Sequence, residues 1–331
     1  MKEILEKLVT RTDLSEKECS DAMHIMLTEA NLSQSAAFLA LLHAKGPTSH
    51  EIAVFAKSLR NMMIPVHLEG DYLDIVGTGG DNSHSVNIST GAAIVAASCG
   101  VRVAKHGARA SSSKCGSADV LEGFGVPLEI SPDAVKDCLD AVGITFMYAP
   151  CFHPAWKSVR TIRKDLQIRT VFNILGPLVN PARVSHYVIG VYHKPLLELV
   201  SGALIEMHVK RSCVFHGCSM DELSPLGPSH VIFIEDGVKT PITIDPIDYN
   251  IEPCSLKDLR GGDVALNMKK LASALKGIKG PIFDAISLNA ALAIYVYGIA
   301  SDFDEALKLA RDAMEKGKPY LLLQKWIAHF N

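Results

Sequence analysis

Through the first sixty-odd positions, apolar residues recur at helical spacing: Ile4/Leu5/Leu8/Val9, then Ala22/Ile25/Met26, then Ala37/Phe38/Leu41/Leu42. Ser15 with Glu18, Ser33, and Thr48 with Glu51 mark helix starts. A Ser or Thr hydroxyl satisfies a free N–H of the first turn, and a Glu three residues on can reach back to the cap. Pro65 closes the run, so residues 1–65 are predicted to form a small all-helical unit with short connections.

From Tyr72 the period changes. Short apolar strands at Leu73–Val76, Val101–Ala104, Ile144–Tyr148, Val188–Tyr192 and Cys213–His216 alternate with helices. The helices are read at Ser89–Ser98, from Ser131-Pro132-Asp133 to Val142, and at Pro195–Met207. Such alternation implies a mostly parallel sheet covered by helices. A charged helix and the turn-rich Leu175–Pro181 interrupt the rhythm at residues 155–183, and part of that stretch is expected to pack on the helical unit. His230–Ile244 predicts a hairpin turning at Glu235-Asp236-Gly237, and Phe283–Ile299 a long apolar helix. The fold class is α/β: a helical N-terminal domain over 1–65, then a larger α/β domain over 66–331 with a mostly parallel central sheet.

Composition narrows the function. Of 331 residues, 48% are hydrophobic, enough for a sizeable core and against intrinsic disorder. Lys and Arg number 33 against 36 Asp and Glu, a formal charge of -3, without the basic excess of a general nucleic-acid or membrane-surface binder. Phosphate chemistry therefore needs local clusters. The longest apolar stretches, Gly91–Val101 and Ala290–Ala300, are too short or too polar to cross a bilayer. Eight cysteines without a Cys-x-x-Cys pair read as reduced thiols of a cytoplasmic protein, neither a disulfide frame nor a zinc site.

Four segments are candidates for chemistry. Gly77-Thr78-Gly79-Gly80-Asp81 follows a strand, and Asn87-Ile88-Ser89-Thr90 opens a helix soon after. Glycines admit close backbone approach, and the free N–H groups of a helix start attract anions. The spacing is neither the dinucleotide fingerprint nor a Walker A loop. The second segment, Lys105–Asp119, mixes three cations with four serines and two glycines, a composition suited to polyphosphate. Two such loops at neighbouring strand ends converge on one crevice. Asp221-Glu222 is third: a loop can splay adjacent carboxylates toward Mg²⁺ ions shared with substrate phosphates. The fourth is His153-Pro154 with the basic helix beyond it, where Arg163 can grip a carboxylate in a bidentate fork. Val231–Asp236 has the hydrophobic-then-acidic look of a type I phosphoribosyltransferase motif, but Lys239-Thr240-Pro241-Ile242 follows instead of a phosphate loop, and it reads as a hairpin.

In order and at similar separations, Gly77–Asp81, Asn87–Thr90, Lys105–Asp119, His153–Lys157, Arg169–Ala182 and Asp221–Glu222 resemble the motifs of the anthranilate phosphoribosyltransferase family, over nearly the whole chain. The resemblance implies the nucleoside phosphorylase/phosphoribosyltransferase fold and a homodimer formed through the helical part. It implies transfer of the phosphoribosyl group of phosphoribosyl pyrophosphate to the amine of anthranilate, a step of tryptophan biosynthesis. Gly77, Gly80, Asp81, Ser85, Asn87, Ile88, Ser89 and Thr90 fall at the family's donor positions. Lys105, His106, Gly107, Arg109, Ser111, Ser112, Ser113 and Ser117 do so too. Ser89, Asp221 and Glu222 match its Mg²⁺ positions, and Gly77, His106, Ala108, Arg163 and Gly176 its acceptor positions. No residue is assigned as general base. The chain departs from the family at Ala108, where an acceptor-contacting Asn is usual, at Trp156, where Met is common, and at Phe152, which replaces a frequent His. The alternatives are a different aromatic acceptor, a pyrimidine nucleoside phosphorylase, and a non-catalytic nucleic-acid-binding paralogue. Lys105-His106-Gly107 and the paired carboxylates favour the transferase over the phosphorylase, and the lack of basic excess with both carboxylates present speaks against the paralogue.

Overall fold

The structure, a computed structural model, describes residues 1–29, 31–110 and 113–331. Four helices open the chain: α1 (Lys2–Val9), α2 (Glu16–Thr28), α3 (Leu32–Lys45) and α4 (Ser49–Arg60). Full capping boxes start α2 at Ser15/Glu18 and α4 at Thr48/Glu51, as their spacing predicts. The cap of α3 is Asn31, whose side-chain oxygen accepts the Gln34 N–H at 3.0 Å, so the expected Ser33 lies inside the helix. Buried Glu51 also gathers Lys45 (2.8 Å) and the Leu14 N–H (2.9 Å), tying the α1–α2 and α3–α4 connections together.

Among the described residues seven strands follow: β1 (Leu73–Gly77), β2 (Val103–Gly107), β3 (Ile144–Tyr148), β4 (His186–Gly190), β5 (Arg211–His216), β6 (Ser229–Glu235) and β7 (Val238–Ile244). They lie in the order β3-β2-β1-β4-β5-β6-β7, with β1 to β5 mutually parallel and β6 and β7 antiparallel. The β6–β7 connection turns at Asp236 and Gly237, both at positive φ (51° and 77°), the geometry a two-residue hairpin turn requires. Val231–Asp236 is thus a hairpin arm.

Two predicted strands are shifted by two to three residues, and a third, β5, starts two residues earlier than Cys213. β2 runs over Val103–Gly107 rather than Val101–Ala104, and β4 over His186–Gly190 rather than Val188–Tyr192. In both, polar side chains disguised the true ends: Lys105 and His106 are buried at the end of β2, His186 and Tyr187 at the start of β4. Lys105, His186 and Tyr187 are tolerated there because each is partnered; the Tyr187 hydroxyl, for example, accepts from Arg60 at 2.9 Å.

The core has two parts, one on each sheet face. On one face, the apolar helices Ile88–Ser98 and Pro281–Tyr297 pack with the last two helices, Phe303–Glu315 and Lys318–His329. On the other, α4 packs on helix Leu196–Glu206, and the apolar side chains of α1–α4 join those of Tyr187, Ile189 and Val214. Helix Lys157–Leu166 packs against α2 and α3. Among the described residues, no helix is long and apolar enough to cross a membrane.

Candidate active site

The chain runs from β1 outward to β2 and β3 on one side, and from β4 to β5 on the other, so the crevice beyond the carboxyl ends of β1 and β4 is the switch point of the sheet. Both strands end in glycine there, and the reason is Asp221. A Cβ on Gly77 would lie 2.3 Å from Asp221 Oδ2, and one on Gly190 only 1.8 Å from the Asp221 backbone oxygen.

Asp221 and Glu222 are splayed. Asp221 Oδ2 accepts the Gly79 N–H at 2.6 Å, while Glu222 Oε1 accepts the Ser89 N–H at 3.1 Å, at the start of helix Ile88–Ser98. Gly79 and Gly80 reach this turn at φ 69° and 78°, a region a side chain would strain. Asp81 Oδ1 takes the N–H and hydroxyl of Ser83, each at 3.0 Å, but its Oδ2 is buried without a partner. Burial, with the Asp81 charge, pushes the Asp221 carboxyl well above the usual carboxylate range. Burial and the Asp221 charge raise Glu222 well above the usual range, against the pull of Lys105. Buried, under-neutralised carboxylates with an orphaned oxygen fit a divalent cation. Among the described residues no three His, Cys, Asp or Glu side chains form a cage, which suits Mg²⁺, an ion usually held by one or two carboxylates with water and substrate oxygens.

Asn87 ties the start of helix Ile88–Ser98 to two neighbouring segments. Its side chain does not cap its own helix; it donates to the Cys115 carbonyl (3.1 Å) and accepts from Asn267 (2.8 Å). Ser85 forms a bridge with Arg260, Ile88 is wholly buried, and the buried Thr90 hydroxyl has no partner.

The basic segment differs from its sequence reading. Lys105 is not on a loop; it is 1% exposed in β2 and donates to the Ile75 carbonyl. Burial pushes its ammonium down, and the charges of Asp74 and Glu222 oppose that. Arg109 is clasped by Glu122 (2.7 Å) and Asp119 (3.0 Å) on the next helix, and these two raise its pKa. Asp119 also accepts the Gly116 and Ala110 N–H groups at 2.8 and 2.9 Å, closing the neck of the loop. Lys105 and Arg109 are therefore engaged by a carbonyl and by carboxylates rather than presented together, while Lys114 is exposed. Ser117 lies beside Gly107, Ser113 is exposed, and Ser111 and Ser112 lie outside the described residues.

At the carboxyl end of β2, the neighbour of β1, an aromatic wall begins. The buried rings of His106 and His153 have centroids 5.0 Å apart; Trp156 follows at 4.9 Å from His153, and Phe172 at 5.4 Å from Trp156, edge-on. The Nε2 atoms of both histidines are buried and unpartnered. Burial keeps these rings neutral, pushing His153 down to about 4 and His106 well below its usual value. Half-buried Arg163 sits 5.8 Å over the Phe172 ring; among the described residues no carboxylate pairs with it, and burial lowers its pKa. Gly176 has open space where a Cβ would stand, and Ala108 is exposed. A planar ligand carrying a carboxylate suits such a wall.

The sequence reading left three participants without individual roles. Arg169 stacks 4.0 Å over Tyr192 and donates to the Gly80 carbonyl, bracing the glycine turn. Asp74 and Asn180 form a buried hydrogen-bonded pair at 2.8 Å beneath the crevice. The available signal was a lone charge inside an apolar strand, which has to be partnered.

This fold and crevice define a glycosyl transferase assembled from a helical bundle and an a/b domain. Profiles described as "Glycosyl transferase family, helical bundle domain" and "Glycosyl transferase family, a/b domain" match residues 2–63 and 69–320. The chain is 41% identical over 325 residues to the anthranilate phosphoribosyltransferase of Chlamydia felis, covering 98% of this chain and 95% of that one. It superposes on the crystal structure of the Thermus thermophilus enzyme of the same name with a TM-score of 0.90, at 38% identity and 98% coverage of each chain. The Saccharomyces cerevisiae enzyme in complex with PRPP and Mg matches with a TM-score of 0.89 at 27% identity, over 98% of this chain and 96% of that one. The chain belongs to the anthranilate phosphoribosyltransferase family.

Proposed function

We propose that this enzyme transfers the phosphoribosyl group of phosphoribosyl pyrophosphate to the amine of anthranilate, giving N-(5-phosphoribosyl)anthranilate and pyrophosphate for tryptophan biosynthesis. The feature that supports it most is adjacency. The glycine turn with its under-neutralised carboxylates follows β1, and the aromatic wall starts at His106 on the neighbouring β2 and runs on to Phe172, under an arginine that pairs with no carboxylate among the described residues.

The donor is held by Gly77, Gly80, Asp81, Ser85 and Asn87–Thr90, with Lys105–Gly107, Arg109, Ser111–Ser113 and Ser117 around it. Backbone N–H groups at the helix start and glycine turn bind its anionic oxygens without reorganising. Ser89, Asp221 and Glu222 would hold Mg²⁺, which supplies Lewis-acid stabilisation of the departing pyrophosphate. Arg163 pairs with the anthranilate carboxylate, while Gly77, His106, Ala108 and Gly176 shape the space around its ring. The amine attacks ribose C1 through its own lone pair as the C1–oxygen bond loosens, so the chain contributes positioning and charge complementarity rather than a strong base.

The division at residue 65, with part of 155–183 completing the helical unit, belongs to this proposal, as does a homodimer working in the cytoplasm. Support for the dimer comes from apolar surface on α1 and α3: Val9 is 66% and Leu32 53% exposed. All eight cysteines are unpaired, in keeping with a reducing compartment. The test is loss of anthranilate fluorescence when purified protein meets phosphoribosyl pyrophosphate, Mg²⁺ and anthranilate. Unchanged fluorescence at saturating substrates refutes it.

A further inference from the structure

Asp74 is the one charged residue of β1, and neither it nor Asn180 has any exposed surface. Asp74 Oδ1 accepts the His106 N–H at 3.2 Å, and Oδ2 accepts Asn180 Nδ2 at 2.8 Å. The same Asn180 amide nitrogen donates to the Ala104 carbonyl at 2.8 Å, and Asn180 Oδ1 accepts the Ala182 N–H at 2.9 Å. Both neighbours of Nδ2 are acceptors, so the amide can face only one way, and each of its polar positions is used.

These bonds join two particular parts of the molecule. One is the end of β2, which carries His106; the other is the turn-rich segment over 175–182, which carries Gly176. The Gly176–Leu178 turn packs directly against β2, the strand that carries His106. From the far side the same segment is held by Arg60 of α4, whose Nε donates to the Leu178 carbonyl at 2.9 Å. The pair therefore ties the Gly176 segment to the strand end that carries His106, and makes no hydrogen bond to the Gly79–Asp81 turn or to the helix start at Asn87–Thr90, where most of the proposed donor contacts lie.

We propose that Asp74 and Asn180 are positioning residues for the acceptor: their buried pair fixes the Gly176 segment to the strand carrying His106, and so sets the spacing of the walls between which the acceptor lies. This rests on the assignment of His106 and Gly176 to an acceptor pocket. A pair that merely satisfied the core would affect folding and both substrates alike.

The test is Asp74→Asn, which keeps the shape but offers one acceptor where two N–H donors approach. The KM for anthranilate is expected to rise about tenfold or more, within the roughly 100-fold that a 1 Å misplacement can cost. The KM for phosphoribosyl pyrophosphate should stay within about twofold. Asp74→Asn combined with Asn180→Asp exchanges donor and acceptor across the contact, and is expected to recover part of the anthranilate KM. Equal shifts in both KM values, or a lowered melting temperature with both KM values unchanged, would overturn the proposal, as would a double variant no better than the single. Should the wild-type chain not consume anthranilate at all, the assigned reaction fails, and hydrogen exchange then decides the proposal. In Asp74→Asn the amides of 104–107 and 175–182 must lose protection together; loss in one segment alone overturns it.

Discussion

Gly77→Ala places a methyl carbon against the metal-site carboxylate. Its Cβ would stand 2.3 Å from Asp221 Oδ2 and 2.8 Å from Cγ, where ordinary contact begins near 3.4 Å. The carboxylate therefore has to retreat by about 1 Å, and the other wall, Gly190 against the Asp221 backbone oxygen, leaves no room for the backbone to follow. That movement breaks the 2.6 Å bond from the Gly79 N–H to Asp221. A buried hydrogen bond to a charged group contributes about 1.5–3 kcal/mol, equivalent to about 10- to 150-fold. The expected result is a fall of that size in kcat/KM for phosphoribosyl pyrophosphate, with more Mg²⁺ needed for half-maximal rate. The assay is initial-rate loss of anthranilate fluorescence across a Mg²⁺ titration, with circular dichroism to verify folding. Gly176→Ala is the contrast: its methyl meets nothing within 4 Å, so fold and donor KM should be unchanged. A Gly77→Ala enzyme with native kcat/KM and native Mg²⁺ dependence would refute the reasoning.

Asp221→Asn with Glu222→Gln should abolish turnover while the protein stays folded; near-native activity at saturating Mg²⁺ would contradict the metal assignment. Ala108→Asn adds a hydrogen-bonding side chain at an exposed position, and should lower the anthranilate KM about two- to 150-fold while leaving the donor KM nearly unchanged; a raised anthranilate KM would point to another acceptor. His153 is depressed from 6.5 to about 4, so the unfolded chain binds a proton before the folded one does. Its stabilising effect is complete above 6.5 and fades as pH falls toward 4, by roughly 3 kcal/mol at most. His153→Asn should flatten the acid side of a urea-unfolding series, and an unchanged slope would be contrary. Sedimentation at micromolar concentration should report a dimer, and a clean monomer would argue against an interface on α1 and α3.

Much of this was legible in the sequence where local rules govern. The capping boxes at Ser15 and Thr48, the cap at Ser131 and the strand at Ile144–Tyr148 follow from nearest-neighbour chemistry and a clean apolar period. The hairpin at residues 230–244 is of the same kind, because its turn needs positive φ and Asp236-Gly237 can supply it. What stayed hidden depended on distant partners. Lys105 reads as a phosphate-loop cation until Ile75, Asp74 and Glu222, all remote in the chain, are seen around it. Arg109 reads as an open cation until the helix beyond the loop brings up Asp119 and Glu122. Asn180 sits 106 residues from Asp74, and no period in the sequence links them. Asp221 is the instructive case: the motif marks it, but only the crevice explains why two separate strands must end in glycine.

The most direct test of the central claim is the stoichiometry of one reaction mixture containing the purified chain, phosphoribosyl pyrophosphate, Mg²⁺ and anthranilate, with pyrophosphate and residual anthranilate measured together. One pyrophosphate should appear for each anthranilate consumed, and chelation of Mg²⁺ should stop both. Pyrophosphate release with anthranilate untouched, or phosphate-dependent cleavage of a pyrimidine nucleoside in its place, would contradict the account.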